Sequence, residues 1–308
     1  FIFLLKMPPL FTVTLISALF LASGETGIKK PSLKTLFLSM LSAACLLSHS
    51  PVEAMDSNLI AKLETTSQGP HRSEKNKARN QYRHPIATMA FFGLTPDMSV
   101  LEIAPGGGWY TEVLAPALRD TGVYVAGSYD VKVEGQPKYR YRQHAALLSQ
   151  IKDQPEVYGQ VKVATYSPPE SRSLWKPNSV DMVLTFRSSH GWVRGGIIDD
   201  VYADFFSVVK PGGTLGVVQH RAPDNGDAVE WAKKGYVPES RIIQAAEKAG
   251  FMLDAKSEIN ANPNDLKDHE KGVWRLPPTL SLGDLDREKY SRIGESDRMT
   301  LRFKKPVK

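Results

Sequence analysis

Glu102 sits in a short apolar run, Val100-Leu101-Glu102-Ile103, and the run leads straight into Ala104-Pro105-Gly106-Gly107-Gly108-Trp109-Tyr110-Thr111. The run reads as a buried strand, the glycines as a tight turn, and Thr111 onward as the start of a helix. Residues without bulky side chains let a backbone turn closely and bring its N–H groups against a ligand, and the following helix points its positive end at the same place. This is a nucleotide-binding corner, suited to something small and polar. Its spacing narrows the ligand. A dinucleotide fingerprint needs a third glycine where Thr111 stands, and a P-loop ends in Gly-Lys-Ser/Thr where this loop has Gly-Trp-Tyr. What remains is an acid at a strand end followed by small residues at alternate positions: Glu102, Ala104, Gly106 and Gly108.

Further chemistry lies after two later apolar runs. Phe186-Arg187-Ser188-Ser189-His190-Gly191-Trp192 follows Ser179–Phe186, and His220-Arg221 follows Thr214–Val218. Ligands of open α/β sheets bind at the carboxyl ends of the strands, so His190 is the first candidate for a general base. His220 is a second, and Arg221 is a candidate anion-binding guanidinium. Both histidines have a plain alternative, a loop imidazole that only hydrogen-bonds backbone. Trp109 and Trp192 either wall a pocket or pack in the core. Glu258, Asn260 and Asn262 either coordinate a polar ligand or form a turn at Asn262-Pro263, the reading favoured for an Asn-Pro step.

The elements that must position these residues alternate. Val123–Gly127 reads as a second strand behind a helix carrying Val113, Leu114, Ala117 and Leu118. Val161–Ala164 makes a third, Ser179–Phe186 a fourth and Thr214–Val218 a fifth. Lys210-Pro211-Gly212-Gly213 reads as the turn into that fifth strand. Pro238–Gly250 has proline near a helix start, Ile242, Ile243, Ala246 and Ala249 on one face, and a closing glycine. Met252–Ser257 and Met299–Phe303 supply two last strands. Such alternation predicts a doubly wound α/β sheet.

The acid and the alternating small residues resemble the first motif of class I S-adenosylmethionine (SAM)-dependent methyltransferases, with Ala104 in place of a glycine. The Lys210–Gly213 turn is a second mark of that family. Arg72-Ser73, Ala78-Arg79, Tyr82-Arg83-His84-Pro85, Phe91-Phe92-Gly93, His220-Arg221-Ala222, Glu258–Pro263 and Gly294–Met299 further resemble a family of exported bacterial proteins assigned as methyltransferases, over roughly residues 70 to 305. The resemblance implies a Rossmann-like, mostly parallel seven-stranded sheet with helices on both faces, and SAM as cofactor. It makes Glu102, Ala104, Pro105, Gly106, Gly107, Gly108 and Asp130 the cofactor-binding residues, with His190 and His220 as catalytic residues. The implied acceptor is an unknown small molecule or cell-envelope component. Two departures accompany it: Asp130 arrives late for the acid that holds the ribose hydroxyls, and Ala164-Thr165-Tyr166-Ser167 shows no acid for the adenine amino group. Two alternatives stay open: a ligand-binding protein that keeps the fold without transfer, and an NAD oxidoreductase.

The 308 residues carry a formal net charge of +6, a mildly basic balance without the basic, aromatic-interleaved run that a nucleic-acid groove needs. Residues 1–54 read as a leader, 55–97 as an N-terminal helical cap and 98–308 as the sheet domain, with insertions near 132–160 and 258–298. Within the leader, Leu10–Ala22 and Leu33–Leu47 are shorter than the roughly 20 residues of a membrane span. Lys29, Lys30 and Lys34, the apolar stretch to Leu47, and Val52-Glu53-Ala54 make a secretory signal cleaved before Met55, giving an exported, periplasmic chain. Membrane tethering through the same segment is the alternative. Cys45 is the only cysteine, so a chain cleaved there has no disulfide, zinc–thiolate site or cysteine nucleophile. No metal is implied, and oligomeric state is not legible.

Overall fold

The computed structural model describes residues 55–307, and the leader features, Cys45 among them, lie outside the described residues. Eight strands form one sheet: β1 (Ser99–Ile103), β2 (Val123–Ser128), β3 (Lys162–Thr165), β4 (Val180–Phe186), β5 (Val209–Ala222), β6 (Val237–Pro238), β7 (Met252–Ser257) and β8 (Arg298–Lys304). The order is β3-β2-β1-β4-β5-β8-β7, with two-residue β6 paired to β5 off that path. The seven expected strands are the seven on the path, and β6 is the addition. β1 to β5 pair in parallel, while β8 enters antiparallel between β5 and β7.

Parallel neighbours require crossovers, and the helices Thr111–Leu118, Lys138–Asp153, Ile198–Val208 and Glu239–Ala249 provide them. Alternation along each strand splits the core in two. Leu101, Ile103, Val183, Leu215 and Val217 pack beneath Val201, Phe205 and Ile242 on one face. Val100, Tyr124, Met182 and Leu184 pack beneath Leu63, Phe92, Val113 and Leu114 on the other. Because β1 leads outward to β2 and β3 while β4 leads to β5, the chain reverses direction between β1 and β4. That is the switch point where sheets of this kind leave a crevice.

Lys210-Pro211-Gly212-Gly213 is not a free turn before β5. It lies inside the strand as a bulge: Val209 pairs with Val180, and the next partners are Thr214 and Met182. Gly212 takes φ 79 there. The Gly212 N–H donates to Lys305 O at 2.8 Å and the Lys305 N–H to Gly213 O at 2.9 Å, so the chain following β8 holds the bulge in the sheet. The first insertion contains the helix Lys138–Asp153, and the second a 3-10 turn, Gly272–Arg275, and the helix Arg287–Ile293. Among the described residues no helix is long and apolar enough to cross a membrane.

Candidate functional site

The glycine-rich loop leaves β1 with three left-handed residues, Ala104 (φ 50), Gly106 (φ 62) and Gly108 (φ 74). Pro105 and Gly107 lie between them. Ala104 thus adopts a conformation that glycine enters freely, at a cost of roughly 1–2 kcal/mol. Its N–H donates to Gly127 O at 2.9 Å, tying the loop to β2. Gly107 has nothing within 4 Å of where a Cβ would stand. The helix Lys138–Asp153 crosses the loop beside it: Gln143 Nε2 lies 3.8 Å from a Cβ built on Gly106, and Gln150 Oε1 3.1 Å from one built on Gly108.

Beneath the loop Glu102 is buried. Thr111 Oγ1 donates to its Oε2 at 3.3 Å, and the Tyr124 hydroxyl donates to the same oxygen. Burial pushes the carboxyl up to about 7, against the pull of these two donors. Asp130 stands two residues past β2. Its Oδ1 accepts from Lys132 N–H at 3.0 Å and its Oδ2 from Ser171 Oγ at 2.8 Å, and these bonds hold it below the usual carboxylate range. After β3 the Tyr166 hydroxyl donates to Asp204 Oδ2 at 2.8 Å and Ser167 Oγ to Gln136 Oε1 at 2.9 Å, so that stretch presents hydroxyls rather than a carboxylate.

Across the switch point the structure brings His190 and His220 together, their ring centroids 6.3 Å apart. Burial and the neighbouring Arg187 push His190 down to about 4. His220 is held well below the usual imidazole range by burial, then by Arg187 and Arg298. Both rings are therefore neutral near pH 7 and have a lone pair to offer. His220 Nδ1 bonds Ser296 Oγ, and Trp274 stands edge-on 5.9 Å from His190. Trp192 packs on Phe205 and Tyr202 in the core. Trp109 is clasped between the Arg72 and Arg83 guanidinium groups, 4.8 and 4.7 Å from its centroid.

Arg221 does not serve as a free anion binder. It donates to both oxygens of Glu258 at 2.8 and 2.6 Å and to both of Asp297 at 3.1 and 3.0 Å. Asn262 Nδ2 donates to the carbonyls of Ile293 and Glu295, and Asn260 Nδ2 to Thr88 Oγ1 and Thr300 Oγ1, so these side chains fasten the second insertion to the sheet. Among the described residues the cation on this rim without an ion pair is Arg187, which leaves β4 with φ 60. Arg83, Arg298 and Arg79 gather beside it around Glu295. Spacing gave no warning of this group, because its members come from three separate segments, around residues 79–83, 187 and 295–298.

No protein-family model matches the chain. It is 24% identical over 207 residues to a sterol 24-C-methyltransferase of Yarrowia lipolytica, covering 61% of this chain and 49% of that protein. The chain thus spans about half the length of the curated relative it matches. Among solved structures it is similar to a sarcosine dimethylglycine methyltransferase, so assigned, of Galdieria sulphuraria, with TM-score 0.50, 13% identity and coverage of 75% of this chain and 86% of that one. The [4+2]-cyclase SpnF aligns with TM-score 0.49, 16% identity and coverage of 82% and 94%. The fold is that of the class I methyltransferases. The loop is open at Gly107, which leaves room for a ligand such as SAM above it, while Asp130 beyond β2 already accepts from Lys132 and Ser171.

Proposed function

We propose that this protein transfers a methyl group from S-adenosylmethionine to a small-molecule or cell-envelope acceptor. The observation that carries the reading is the left-handed glycine loop at the carboxyl end of β1, together with two neighbouring neutral imidazoles, His190 beyond the end of β4 and His220 near the end of β5. Likeness to a named methyltransferase over 207 residues supports it. When bound, SAM supplies a methyl group already activated on a sulfonium. The N–H groups of Gly106 and Gly107 hold its methionine end, Gly108 giving its own N–H to Pro105 O at 3.0 Å within the loop, and Asp130 takes the ribose hydroxyls. Glu102 fixes the loop from below through Thr111, which opens the following helix. His190 accepts the acceptor's proton, with His220 as the second base. Holding acceptor and donor in line supplies most of the acceleration.

A second reading has its own observation. Gln143 and Gln150 lie on the loop, and Ala164-Thr165-Tyr166-Ser167 at the end of β3 holds no acid, as suits a binding protein that kept the fold and lost transfer. Calorimetric titration of SAM and S-adenosylhomocysteine into residues 55–308, beside a Gly106→Arg variant, separates the two. Micromolar binding abolished by the variant supports transfer; no heat at millimolar ligand removes SAM from the account. The basic, apolar and Val52–Ala54 segments of the leader support export to the periplasm. N-terminal sequencing of the protein from fractionated cells tests that, with Met55 as the expected first residue.

A further inference from the structure

Four guanidinium groups converge at the rim between β4, β5 and β8 with one carboxylate among them. Glu295 receives Arg79 Nε at 2.5 Å, Arg83 Nε at 3.2 Å and Arg298 Nη2. Arg187 has no ion pair or hydrogen bond from its guanidinium among the described residues, and its Nε is buried without a partner. Arg83 and Arg298 are only 3% and 2% exposed, yet Arg83 Nη2 and Arg298 Nε also lack partners, as does Arg79 Nη2. Guanidinium groups keep their protons in proteins, so this corner holds a net excess of positive charge with N–H groups left over. A buried donor without an acceptor costs roughly 1–3 kcal/mol. Such an arrangement persists for a ligand rather than for the fold.

Three of the four arginines meet at one place. Arg83, Arg187 and Arg298 line a narrow crevice together with Tyr110, Phe186 and Val218, closed to a water-sized group as the side chains stand. Tyr110 and Phe186 stack at 3.6 Å between centroids to make its apolar wall. Arg187 is half-buried and unpaired, so it is the side chain that can swing to admit a group.

We propose that Arg83, Arg187 and Arg298 form an oxyanion subsite that takes the carboxylate or phosphate of the methyl acceptor. This rests on the transfer reading above. Planar guanidinium forks match both oxyanions in bidentate geometry. His190 stands three residues past Arg187, in the first turn of the helix Ser189–Arg194 and within the Arg187 field, which sets an acceptor anchored by its anion toward the base. The bound anion also offsets the Arg187 field on that imidazole.

Thermal melting of the full chain in inorganic phosphate, against sodium chloride at equal ionic strength, tests the subsite without SAM. Wild type is expected to show a saturable rise of roughly 5 °C or more at a hundredfold excess over Kd, absent in chloride. Arg187→Gln, which leaves the Glu295 pairs intact, is expected to melt no lower than wild type without phosphate and to bind phosphate roughly tenfold to hundredfold more weakly. Surface Arg172→Gln should respond as wild type does. An equal response in chloride, or an undiminished one in Arg187→Gln, overturns the subsite. Repeating the phosphate titration with saturating S-adenosylhomocysteine separates the anion's two sources. A retained phosphate shift assigns the subsite to the acceptor; its loss, with weaker S-adenosylhomocysteine binding by Arg187→Gln, assigns it to the cofactor's own carboxylate and overturns the proposal. If S-adenosylhomocysteine does not bind, the transfer reading and the acceptor role fall together, while phosphate melting still decides the anion site.

Discussion

Ala104 and Glu102 show how single residues carry cost at this site. Ala104 holds φ 50 in a loop that glycine would enter freely. Ala104→Gly is expected to raise stability by about 0.5–1 kcal/mol, the relieved strain less the added entropy of the unfolded chain. Urea denaturation measures it, and an unchanged or lower midpoint would contradict the left-handed assignment. Glu102 titrates in the fold near 7 against an ordinary 4.5 because burial disfavours its charge. Between those values the folded chain keeps a proton that the unfolded chain has lost, so this group's contribution falls as pH rises through that window and is constant above it. Glu102→Gln removes the dependence while retaining polar atoms for Tyr124 and Thr111. Its stability relative to wild type should therefore climb by up to roughly 3 kcal/mol from pH 4.5 to 7; a flat difference would show that Glu102 is ionised throughout.

At the scale of elements, the rim depends on how closely the N-terminal helix Pro85–Phe92 meets the sheet. A Cβ on Gly216 of β5 would stand 2.7 Å from Leu184 Cδ2 and 2.9 Å from two ring atoms of Phe92. Only glycine lets that helix sit down at this point. Gly216→Ala is expected to destabilise by roughly 1–3 kcal/mol through overpacking, read as a lower denaturation midpoint. Val at the same position should cost more. A neutral Gly216→Ala would mean that the helix is not seated as described. Its placement bears on the site because Arg83 precedes the helix by two residues, across His84 in a left-handed turn with φ 38.

For the molecule as a whole, Glu295 links the two ends of the described chain. It joins Arg79 and Arg83, more than two hundred residues earlier, to Arg298 at the start of β8. The guanidinium groups hold its carboxyl far below the usual range even though burial opposes ionisation. The folded value being lower, its contribution is fully present above about 4.5 and is lost as pH falls toward the folded value. Glu295→Gln leaves several buried cations uncompensated and is expected to cost roughly 3–5 kcal/mol. Limited proteolysis should then cut first between residues 68 and 84. An unchanged melting temperature would show that the arginines find other partners.

Much of the fold was legible in the sequence, and the reason is local. Glycines and small residues at fixed spacing after Val100–Ile103 mark a strand, a turn and a helix because only they permit the backbone to turn there. Apolar runs of strand length between helical patterns marked the seven strands, and pairing in the folded chain set their order. Lys210–Gly213 carries the local signal of a turn into the fifth strand, and only the pairing of Gly212 and Gly213 with Lys305 places it inside that strand. His190 was legible as a candidate from the strand before it; His220, expected just past the fifth strand, lies within β5 opposite Arg298, and burial beside Arg187 decided the neutrality of both rings. Arg221 and Arg187 look alike in sequence. The folded chain gives one two carboxylates and the other none, because acids at 258 and 297 reach Arg221 only through the second insertion. The arginine cluster was invisible for the same reason: charge balance is summed over neighbours in space, and its members at 79, 83, 187 and 298 meet only when β8 enters the sheet beside β5.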